Sequence, residues 1–209
     1  KNYPAQAHNP LMEIEERAML SLLPDDLSSR VCLDLACGSG RYMRLMRSRR
    51  AQQVFGVDYS ADMLVQAINS QLAIGHSQLA RSAFLALPFA AATFDLIICG
   101  LGVGHERNLK QTIAEAARVL QLGGTILYSD FHPFATLSGW QRSFTAANGD
   151  IFNLEHYLHL YSNHHQACQA AGLIIDAILE PIAGEYAPPG FQQIPVVLVI
   201  RAVKTNRAE

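Results

Sequence analysis

The sequence predicts a single α/β domain in which helices cover both faces of a mostly parallel β-sheet. Short apolar runs alternate with helical patterns along the chain, which is typical of consecutive βαβ units. The chain has 209 residues and 50% of them are hydrophobic, so the apolar material suffices for one sizeable core. No internal repeat, low-complexity segment or linker divides the chain, and we therefore predict one domain over residues 1–209.

The first predicted strand, Val31–Leu35, is a short apolar run that ends in a glycine-containing turn. Ser60 is the predicted N-cap of the second βαβ helix, because its hydroxyl can accept a hydrogen bond from an early backbone N–H. Gly123-Gly124 is expected to end a later helix, since glycine adopts the left-handed cap conformation at little cost. The elements predicted after the first strand are a helix over Arg41–Arg50, a strand over Gln53–Val57, a helix from Ala61 to about Ala73, a less clear strand around Gln78–Leu85, a strand over Phe94–Cys99, a helix over Leu109–Leu120 and a strand over Thr125–Ser129.

The last third of the chain departs from this alternation. Residues 131–170 carry many aromatic residues, histidines and glycines without clean periodicity, so we predict an irregular insertion there. Two further strands, over Leu173–Leu179 and Val196–Val203, are joined through a stretch rich in proline and glycine. These two strands are expected to close the sheet as an antiparallel pair.

Charge and hydropathy argue against two classes of partner. The net charge is −2, and the arginines of Arg41–Arg50 fall on more than one face of their predicted helix. A solvated helix surface explains that run better than a nucleic-acid patch, so no nucleic-acid partner is expected. No signal peptide is visible and no apolar run approaches the roughly 18 residues that span a bilayer, so no membrane association is expected.

The four cysteines show neither a CxxC pair nor metal-ligand spacing. Three of them lie in or beside predicted strands, where a free cysteine behaves as a small hydrophobic residue. Free thiols fit a reducing compartment, so we expect a cytoplasmic protein.

The segment VCLDLACGSG places a glycine turn directly after the first strand. Ligands of open α/β sheets bind beyond the carboxyl ends of the strands. Gly38 and Gly40 allow close approach of the backbone to a ligand, and the N-terminus of the following helix suits a carboxylate. Asp34 is placed to receive a cation such as an amino group, so the turn is a candidate site for a ligand with an amino-acid part.

Asp58 ends the second strand in the segment VFGVDYS. A carboxylate there can accept two hydrogen bonds from ribose hydroxyls; the alternative is a cap for the next helix, a role that Ser60 already fills. A dinucleotide fingerprint requires a third glycine where this chain has Met43, and no lysine follows the glycines as in a P-loop. We therefore favour ribose binding by Asp58 and disfavour a nicotinamide-dependent enzyme.

Four segments, VCLDLACGSGR, VFGVDYSADML, ALPFAAATFDLIIC and EAARVLQLGGTILYSD, follow one another over roughly residues 30–130. In order and spacing they resemble the successive motifs of the class I S-adenosylmethionine (SAM)-dependent methyltransferase family. The similar subset acts on small molecules and includes quinone-biosynthesis and malonyl-carrier-protein methyltransferases. The resemblance implies a three-layer αβα sandwich with a seven-stranded, mostly parallel Rossmann-like sheet whose last strand is antiparallel. It also implies SAM as cofactor and S-adenosylhomocysteine as product.

The resemblance also assigns residues to the cofactor. The glycine turn would hold the methionine part of SAM and Asp58 the ribose, while Tyr59 and Met63 would lie along the adenine. Gly100 and Leu101 would line the pocket below the sulfonium. The predicted cofactor-binding residues are Asp34, Ala36, Cys37, Gly38, Gly40, Asp58, Tyr59, Met63, Ala83, Phe84, Leu85, Gly100 and Leu101.

Two positions depart from the family's pattern. The family usually has glycine where this chain has Ala36, which requires a backbone conformation that tolerates a Cβ and crowds the cofactor slightly. The family often has an aspartate, bonded to the adenine amino group, where this chain has Ala83. The loss of one such hydrogen bond is worth about 0.5–1.5 kcal/mol, so weaker SAM binding is expected.

Methyl transfer is an in-line displacement, in which a carboxylate acceptor needs no base and a hydroxyl acceptor does. His105 and His132 follow the fourth and fifth strands and are the predicted catalytic residues, although a helix-cap role for each stays open. Arg142, His156 and His159 of the insertion are the predicted substrate-binding residues. The spacing of the last two histidines could place them on one helical face, but no acidic ligand accompanies them and we predict no metal.

The main hypothesis is an enzyme that moves the SAM methyl group to a small-molecule acceptor, with oxygen favoured over nitrogen or carbon. The alternative is a catalytically inactive SAM-fold protein with a regulatory or partner-binding role. Residues 1–28, with an amphipathic helix over Pro10–Leu23, are expected to fold over the site as a lid by the same resemblance. A monomer or a homodimer is expected.

Overall fold

The computed structural model describes residues 4, 6–70, 77–140, 143–145, 151–153, 155–187 and 189–206. The strands of this part of the chain are β1 (Val31–Leu35), β2 (Gln53–Asp58), β3 (Ser77–Arg81), β4 (Phe94–Cys99), β5 (Leu120–Phe131), β6 (Ser143–Thr145), β7 (Ile151–Asn153), β8 (Leu173–Leu179) and β9 (Val197–Lys204). Its α-helices are α1 (Pro10–Leu22), α2 (Arg41–Ser48), α3 (Ala61–Asn69), α4 (Leu109–Val119), α5 (Pro133–Leu137) and α6 (Tyr161–Ala170). Short 3₁₀ turns lie at Val103–His105 and Gly184–Tyr186.

Seven strands form one sheet in the order β3-β2-β1-β4-β5-β9-β8. The first five strands pair in parallel, and β9 lies antiparallel between β5 and β8. The predicted sheet, with its antiparallel last strand, is therefore confirmed. Strand order reverses between β1 and β4, which is where an open α/β sheet leaves a crevice for a ligand.

Two cores lie on opposite faces of this sheet. Helices α1, α2 and α3 bury side chains such as Met43 against one face, and α4 and α6 bury side chains such as Ile113 against the other. Consecutive strand residues point to opposite faces, so Ile98 of β4 joins the first core and Ile97 joins the second. This arrangement is the predicted three-layer sandwich. No helix among the described residues has the length and hydropathy needed to cross a membrane.

Several local predictions are confirmed at their residues. Strands β1 and β8 have the predicted bounds, and the Ser60 hydroxyl accepts from the backbone N–H of Met63 at 3.3 Å as the N-cap of α3. The described part of α3 ends at Asn69, and residues 71–76, where the prediction continued, lie outside the described residues. The β6–β7 hairpin lies within the segment predicted as irregular, where no alternating pattern indicated strands.

The predicted role of Gly123-Gly124 is wrong. Helix α4 ends before Leu120, and both glycines lie inside β5, where pairing with β4 skips from Leu120 to Thr125. The residues between these two positions bulge out of the ladder, and Gly123 has a left-handed φ of 76°, which glycine adopts without strain. These glycines therefore shape a bulge at the start of a strand rather than the end of a helix.

Candidate cofactor and active site

The glycine turn lies at the carboxyl end of the central strand β1 and leads into α2. Ala36, Gly38 and Gly40 all have left-handed φ angles, of 58°, 54° and 90°. The backbone N–H of Cys37 donates to the carbonyl oxygen of Val57 on β2 at 2.9 Å, which fixes the turn to the neighbouring strand. Gly40, the N-cap of α2, has no side chain to cap the helix, so the backbone of the turn is free to approach a ligand closely.

Asp34 supports this turn from inside the protein. Its side chain is buried, with 1% exposure, and its Oδ2 accepts from the backbone N–H of Met43 in the first turn of α2 at 3.0 Å. Burial raises the pKa of Asp34 to about 8. The carboxyl group thus joins β1 to α2, and its predicted contact with a ligand amino group stays a prediction.

Asp58 links the turn to the next helix. Its Oδ2 accepts from the backbone N–H of Gly38 at 2.8 Å, and its Oδ1 accepts from the backbone N–H of Ser60 at 2.8 Å. A carboxylate has about four acceptor positions, so two backbone hydrogen bonds leave capacity for ribose hydroxyls. Asp58 is half-buried, at the rim where the crevice opens.

The loops after β3 and β4 approach the same turn. A Cβ built on Gly102 would lie 2.8 Å from the Cβ of Ala36 and 3.5 Å from Cζ of Phe84, so three strand ends converge here. Tyr59 is 71% exposed, with its ring 5.5 Å from the Arg81 guanidinium carbon. Among the other predicted cofactor residues, Ala83 is exposed, Met63, Leu85 and Gly100 are half-buried, and Cys37 and Leu101 are buried.

Replacing Ala36 with glycine is expected to tighten SAM binding by roughly 3- to 10-fold, because the change removes the methyl group that is expected to crowd the cofactor. Ala92, an exposed residue with a φ of 54° away from this turn, is the matched control. Both glycine variants relieve the same left-handed backbone strain, which costs a residue with a Cβ about 1–2 kcal/mol, so both should be at least as stable as the parent protein in urea unfolding. Titration calorimetry should show tighter binding for Ala36→Gly alone; equal affinities would refute crowding by the Ala36 methyl group.

A buried carboxylate that we did not predict lies beneath the turn. Glu15 of α1 has 0% exposure and pairs with the guanidinium of Arg41 at 2.7 Å. Its Oε1 also accepts from the hydroxyls of Tyr42, at 2.8 Å, and Ser129, at 2.6 Å. The prediction that the Arg41–Arg50 run is a solvated surface is therefore wrong at Arg41, which is buried. The apolar spacing of α1 could have indicated Glu15, since it shares a face with buried methionines.

Helix α1 is thereby fixed across the carboxyl ends of three strands. A Cβ on Gly100 would lie 3.0 Å from Glu15 Oε1, which places the network against the loop after β4. The backbone N–H of Leu101 donates to the Ser129 hydroxyl at 2.8 Å, which joins that loop to β5. The Ser39 hydroxyl donates to the carbonyl oxygen of Pro4 at 2.9 Å, so the chain before α1 also contacts the glycine turn.

The two predicted catalytic histidines have different surroundings. His132 is buried: its Nδ1 accepts from the backbone N–H of Phe134 as the N-cap of α5, at 3.1 Å, and its Nε2 lies 3.0 Å from Glu180 Oε1. His105 is exposed, and its Nδ1 donates to the carbonyl oxygen of Glu155 at 2.9 Å. The geometry gives His132 the helix-cap role that the sequence left open, and catalysis by either histidine stays a prediction.

A second polar cluster lies where β5 ends. His156 Nε2 donates to Asp130 Oδ1 at 2.8 Å, and His164 Nε2 lies 3.9 Å from Asp130 Oδ2. Burial lowers the pKa of His164 from its ordinary value of 6.5 to about 4, so this imidazole is neutral at pH 7. The Tyr128 hydroxyl lies 3.3 Å from His164 Nδ1.

The remaining predicted substrate residues are distributed differently from the expectation. His159 Nε2 donates to the carbonyl oxygen of Glu106 at 2.9 Å, away from Asp130. His156 and His159 do not share a helical face, because α6 begins only at Tyr161. Arg142 lies outside the described residues. Within the described residues no group of three or more His, Cys, Asp or Glu side chains could hold a metal ion.

Known proteins are similar to this chain over its central part. Residues 33–128 match the family described as a methyltransferase domain. The malonyl-[acyl-carrier protein] O-methyltransferase of Enterobacter lignolyticus is 33% identical over 124 residues, which are 59% of this chain and 47% of that protein. The 2-phytyl-1,4-naphtoquinone methyltransferase of Thermosynechococcus vestitus is 37% identical over 106 residues, 48% of this chain and 46% of that protein.

The fold is shared along nearly the whole chain. The crystal structure of an S-adenosylmethionine-dependent methyltransferase from Mesorhizobium loti superposes with a TM-score of 0.74 and 19% identity, covering 91% of this chain and 97% of that chain. The chain spans about half the length of the curated relatives it matches. These similarities support the predicted resemblance: residues 33–128 are similar in sequence to the methyltransferase domain family, and nearly the whole chain shares the fold of a SAM-dependent methyltransferase.

Proposed function

We propose that this protein is an enzyme that transfers the methyl group of SAM to an oxygen atom of a small-molecule acceptor. The observation that carries the proposal is the Asp58 carboxylate, which spans the glycine turn and the start of α3 at 2.8 Å on each side. A carboxylate fixed at this strand end, beside a turn without side chains, suits a nucleoside that carries an amino-acid tail.

The chain's own residues would bind and orient both reactants. SAM supplies a methyl group activated by a sulfonium. Asp58 would accept hydrogen bonds from the ribose, the turn from Ala36 to Gly40 would lie along the methionine part, and the exposed ring of Tyr59 would lie along the adenine. Gly100 and Leu101 would set the position from which the acceptor approaches in line, which is the main catalytic task.

The class of acceptor is supported by the names of the relatives. One is a malonyl-[acyl-carrier protein] O-methyltransferase, whose name gives oxygen as the methylated atom, and another is a 2-phytyl-1,4-naphtoquinone methyltransferase, whose name gives a quinone as the acceptor. Two histidines of the predicted substrate side, residues 131–170, lie beside Asp130 at the end of β5: His156 and His164. An oxygen acceptor fits such a polar, aromatic surrounding.

Titration calorimetry with SAM and S-adenosylhomocysteine tests the proposal. We expect micromolar dissociation constants for both, because a ligand of this size with several directed hydrogen bonds reaches about −7 to −8 kcal/mol. Absence of binding to either compound at millimolar concentration would refute the cofactor site. Free adenosine and free methionine serve as partial ligands, and each should bind far more weakly than SAM.

A non-catalytic SAM-binding protein is the second candidate, favoured by two positions of the predicted cofactor site. Ala36 has a left-handed backbone at the glycine turn, and the side chain of Ala83 has no acceptor for the adenine amino group. The two candidates differ in turnover: an extract of small metabolites incubated with the protein and SAM labelled in its methyl group should acquire label if the protein is an enzyme. Tight SAM binding without any transfer of label would favour the binding protein.

The remaining expectations extend this proposal. The four free, buried thiols support a location in the reducing cytoplasm. We keep the hypotheses that residues 1–28 act as a lid, that residues 131–170 form the substrate side, and that the protein works as a monomer or homodimer. Neither nucleic acid nor a membrane is part of the proposed reaction.

A further inference from the structure

The pair His156–Asp130 has a feature that a purely structural pair does not need. The His156 side chain is 7% exposed and the Asp130 side chain 2% exposed. The Nδ1 atom of His156 is buried and has no hydrogen-bond partner among the described residues. A buried polar atom without a partner costs about 1–3 kcal/mol, so it calls for an explanation.

Asp130 determines which nitrogen of His156 carries the proton. A carboxylate only accepts, so the 2.8 Å contact with Asp130 Oδ1 requires the proton on His156 Nε2. The lone pair of the neutral ring is therefore on Nδ1, the atom without a partner. An imidazole held in one tautomer by a buried carboxylate is the arrangement of a general base.

The pair lies against the loop that follows β4. A Cβ on Gly104 would collide with His156 Nε2 and with Asp130 Oδ1, so only glycine permits this contact. The backbone N–H of Tyr157 donates to the carbonyl oxygen of Gly104 at 2.8 Å and fixes the insertion to the same loop. Ser129, the residue before Asp130, holds Leu101, which is predicted to lie below the sulfonium.

Aromatic rings extend from His156 into the substrate side. The Phe131 ring lies 5.9 Å from the His156 ring, Trp140 lies 5.8 Å from Phe131, and Phe191 lies 5.4 Å from Trp140, all edge to face. Trp140 and Phe191 are half-buried, so they still offer apolar surface. Walls of this kind favour a flat aromatic ligand.

We propose that His156, positioned by Asp130, accepts the proton of an aromatic hydroxyl acceptor during methyl transfer, an inference that rests on the proposed function. The acceptor O–H bond gives its proton to His156 Nδ1, the oxygen forms a bond to the methyl carbon, and the carbon–sulfur bond breaks to leave a neutral thioether. The imidazolium, stabilised by Asp130, then releases the proton to solvent. A carboxylate acceptor would need no such base, so the pair selects a hydroxyl.

The first test uses the cofactor-free protein. Long-range ¹H–¹⁵N spectra of protein labelled at histidine nitrogens should show His156 as the Nε2–H tautomer, with the signal assigned by its loss in His156→Gln. Asp130→Asn should mix the tautomers, because an amide can donate as well as accept. A His156 protonated on Nδ1, or a tautomer unchanged in Asp130→Asn, would overturn the positioning role.

The second test uses phenol and 4-nitrophenol as probe acceptors with labelled SAM at one mildly alkaline pH. Phenol keeps its proton there and 4-nitrophenol is largely ionised, so only phenol requires the base. We expect His156→Gln to lower kcat for phenol by about 100-fold or more, and for 4-nitrophenol by less than about 10-fold, with little change in KM. His165→Gln, a change at an exposed residue of α6, is the matched control and should leave both rates unchanged.

Equal losses for both probes, or no loss for phenol, would overturn the role of His156. A parent protein that binds SAM by calorimetry but methylates neither probe would overturn the acceptor class and leave the methyltransferase proposal intact. Failure to bind SAM would instead refute the proposed function itself.

Discussion

Replacing Asp58 with alanine should weaken SAM binding by about 100-fold or more, with the fold retained. Two hydrogen bonds from ribose hydroxyls to a carboxylate contribute about 1.5–3 kcal/mol each, and each 1.4 kcal/mol is tenfold in affinity. The variant also loses the hydrogen bonds that Asp58 accepts from Gly38 and Ser60, so the turn itself is held less firmly. Titration calorimetry with SAM measures the effect directly.

Asp62→Ala is the matched control for this change. Asp62 is an exposed carboxylate in the first turn of α3, four residues from Asp58, so it tests for a general effect of lost charge. Asp58→Asn should be intermediate, because the amide keeps one acceptor oxygen and loses the charge. An affinity for Asp58→Ala within threefold of the parent protein, together with a normal melting curve, would show that the ribose lies elsewhere.

Local patterns were sufficient to predict the sheet and the position of the glycine turn. The apolar run Val31–Leu35 and the cap at Ser60 depend on contacts between residues near in sequence, and the structure has them as predicted. Parallel strands also bring their carboxyl ends to one edge, so the placement of Asp58 beside the glycine turn follows from the βαβ order alone. Spacing and residue type were therefore enough to predict that Asp58 lies beside the glycine turn.

Contacts between distant residues explain what the sequence could not predict. Glu15 meets Ser129 across 114 positions, and Asp130 meets His156 across 26 positions. Neither pair has a repeat or a spacing that would mark it, because the sheet order and the insertion decide which residues meet. The pairing of β5 with β4 likewise overrides the local preference of Gly123. This glycine was expected to end a helix, but it lies in the bulge of β5.

Replacing Glu15 with alanine should lower the free energy of unfolding by about 3–5 kcal/mol, because it leaves the charge of Arg41 buried without its partner. The Arg41 side chain is only 8% exposed, so water cannot replace the carboxylate readily. The hydroxyls of Tyr42 and Ser129 lose their acceptor at the same time. Urea unfolding followed by circular dichroism measures the change, provided that the slope of the transition is unaltered.

Glu13→Ala is the control on the same helix, since Glu13 is exposed and its loss should change stability by no more than about 0.5 kcal/mol. The double variant Glu15→Leu with Arg41→Met should recover part of the loss, because removing both charges ends the unpaired burial. If Glu15→Ala unfolds with nearly the parent's midpoint, α1 must be held by its apolar side chains alone. If the loss is as large as expected, a charge pair fixes α1 over the carboxyl ends of β1, β4 and β5. Hydrogen exchange in α1 should then be faster in the variant than in the parent protein. That result would show that any motion of α1 as a lid requires breaking the pair.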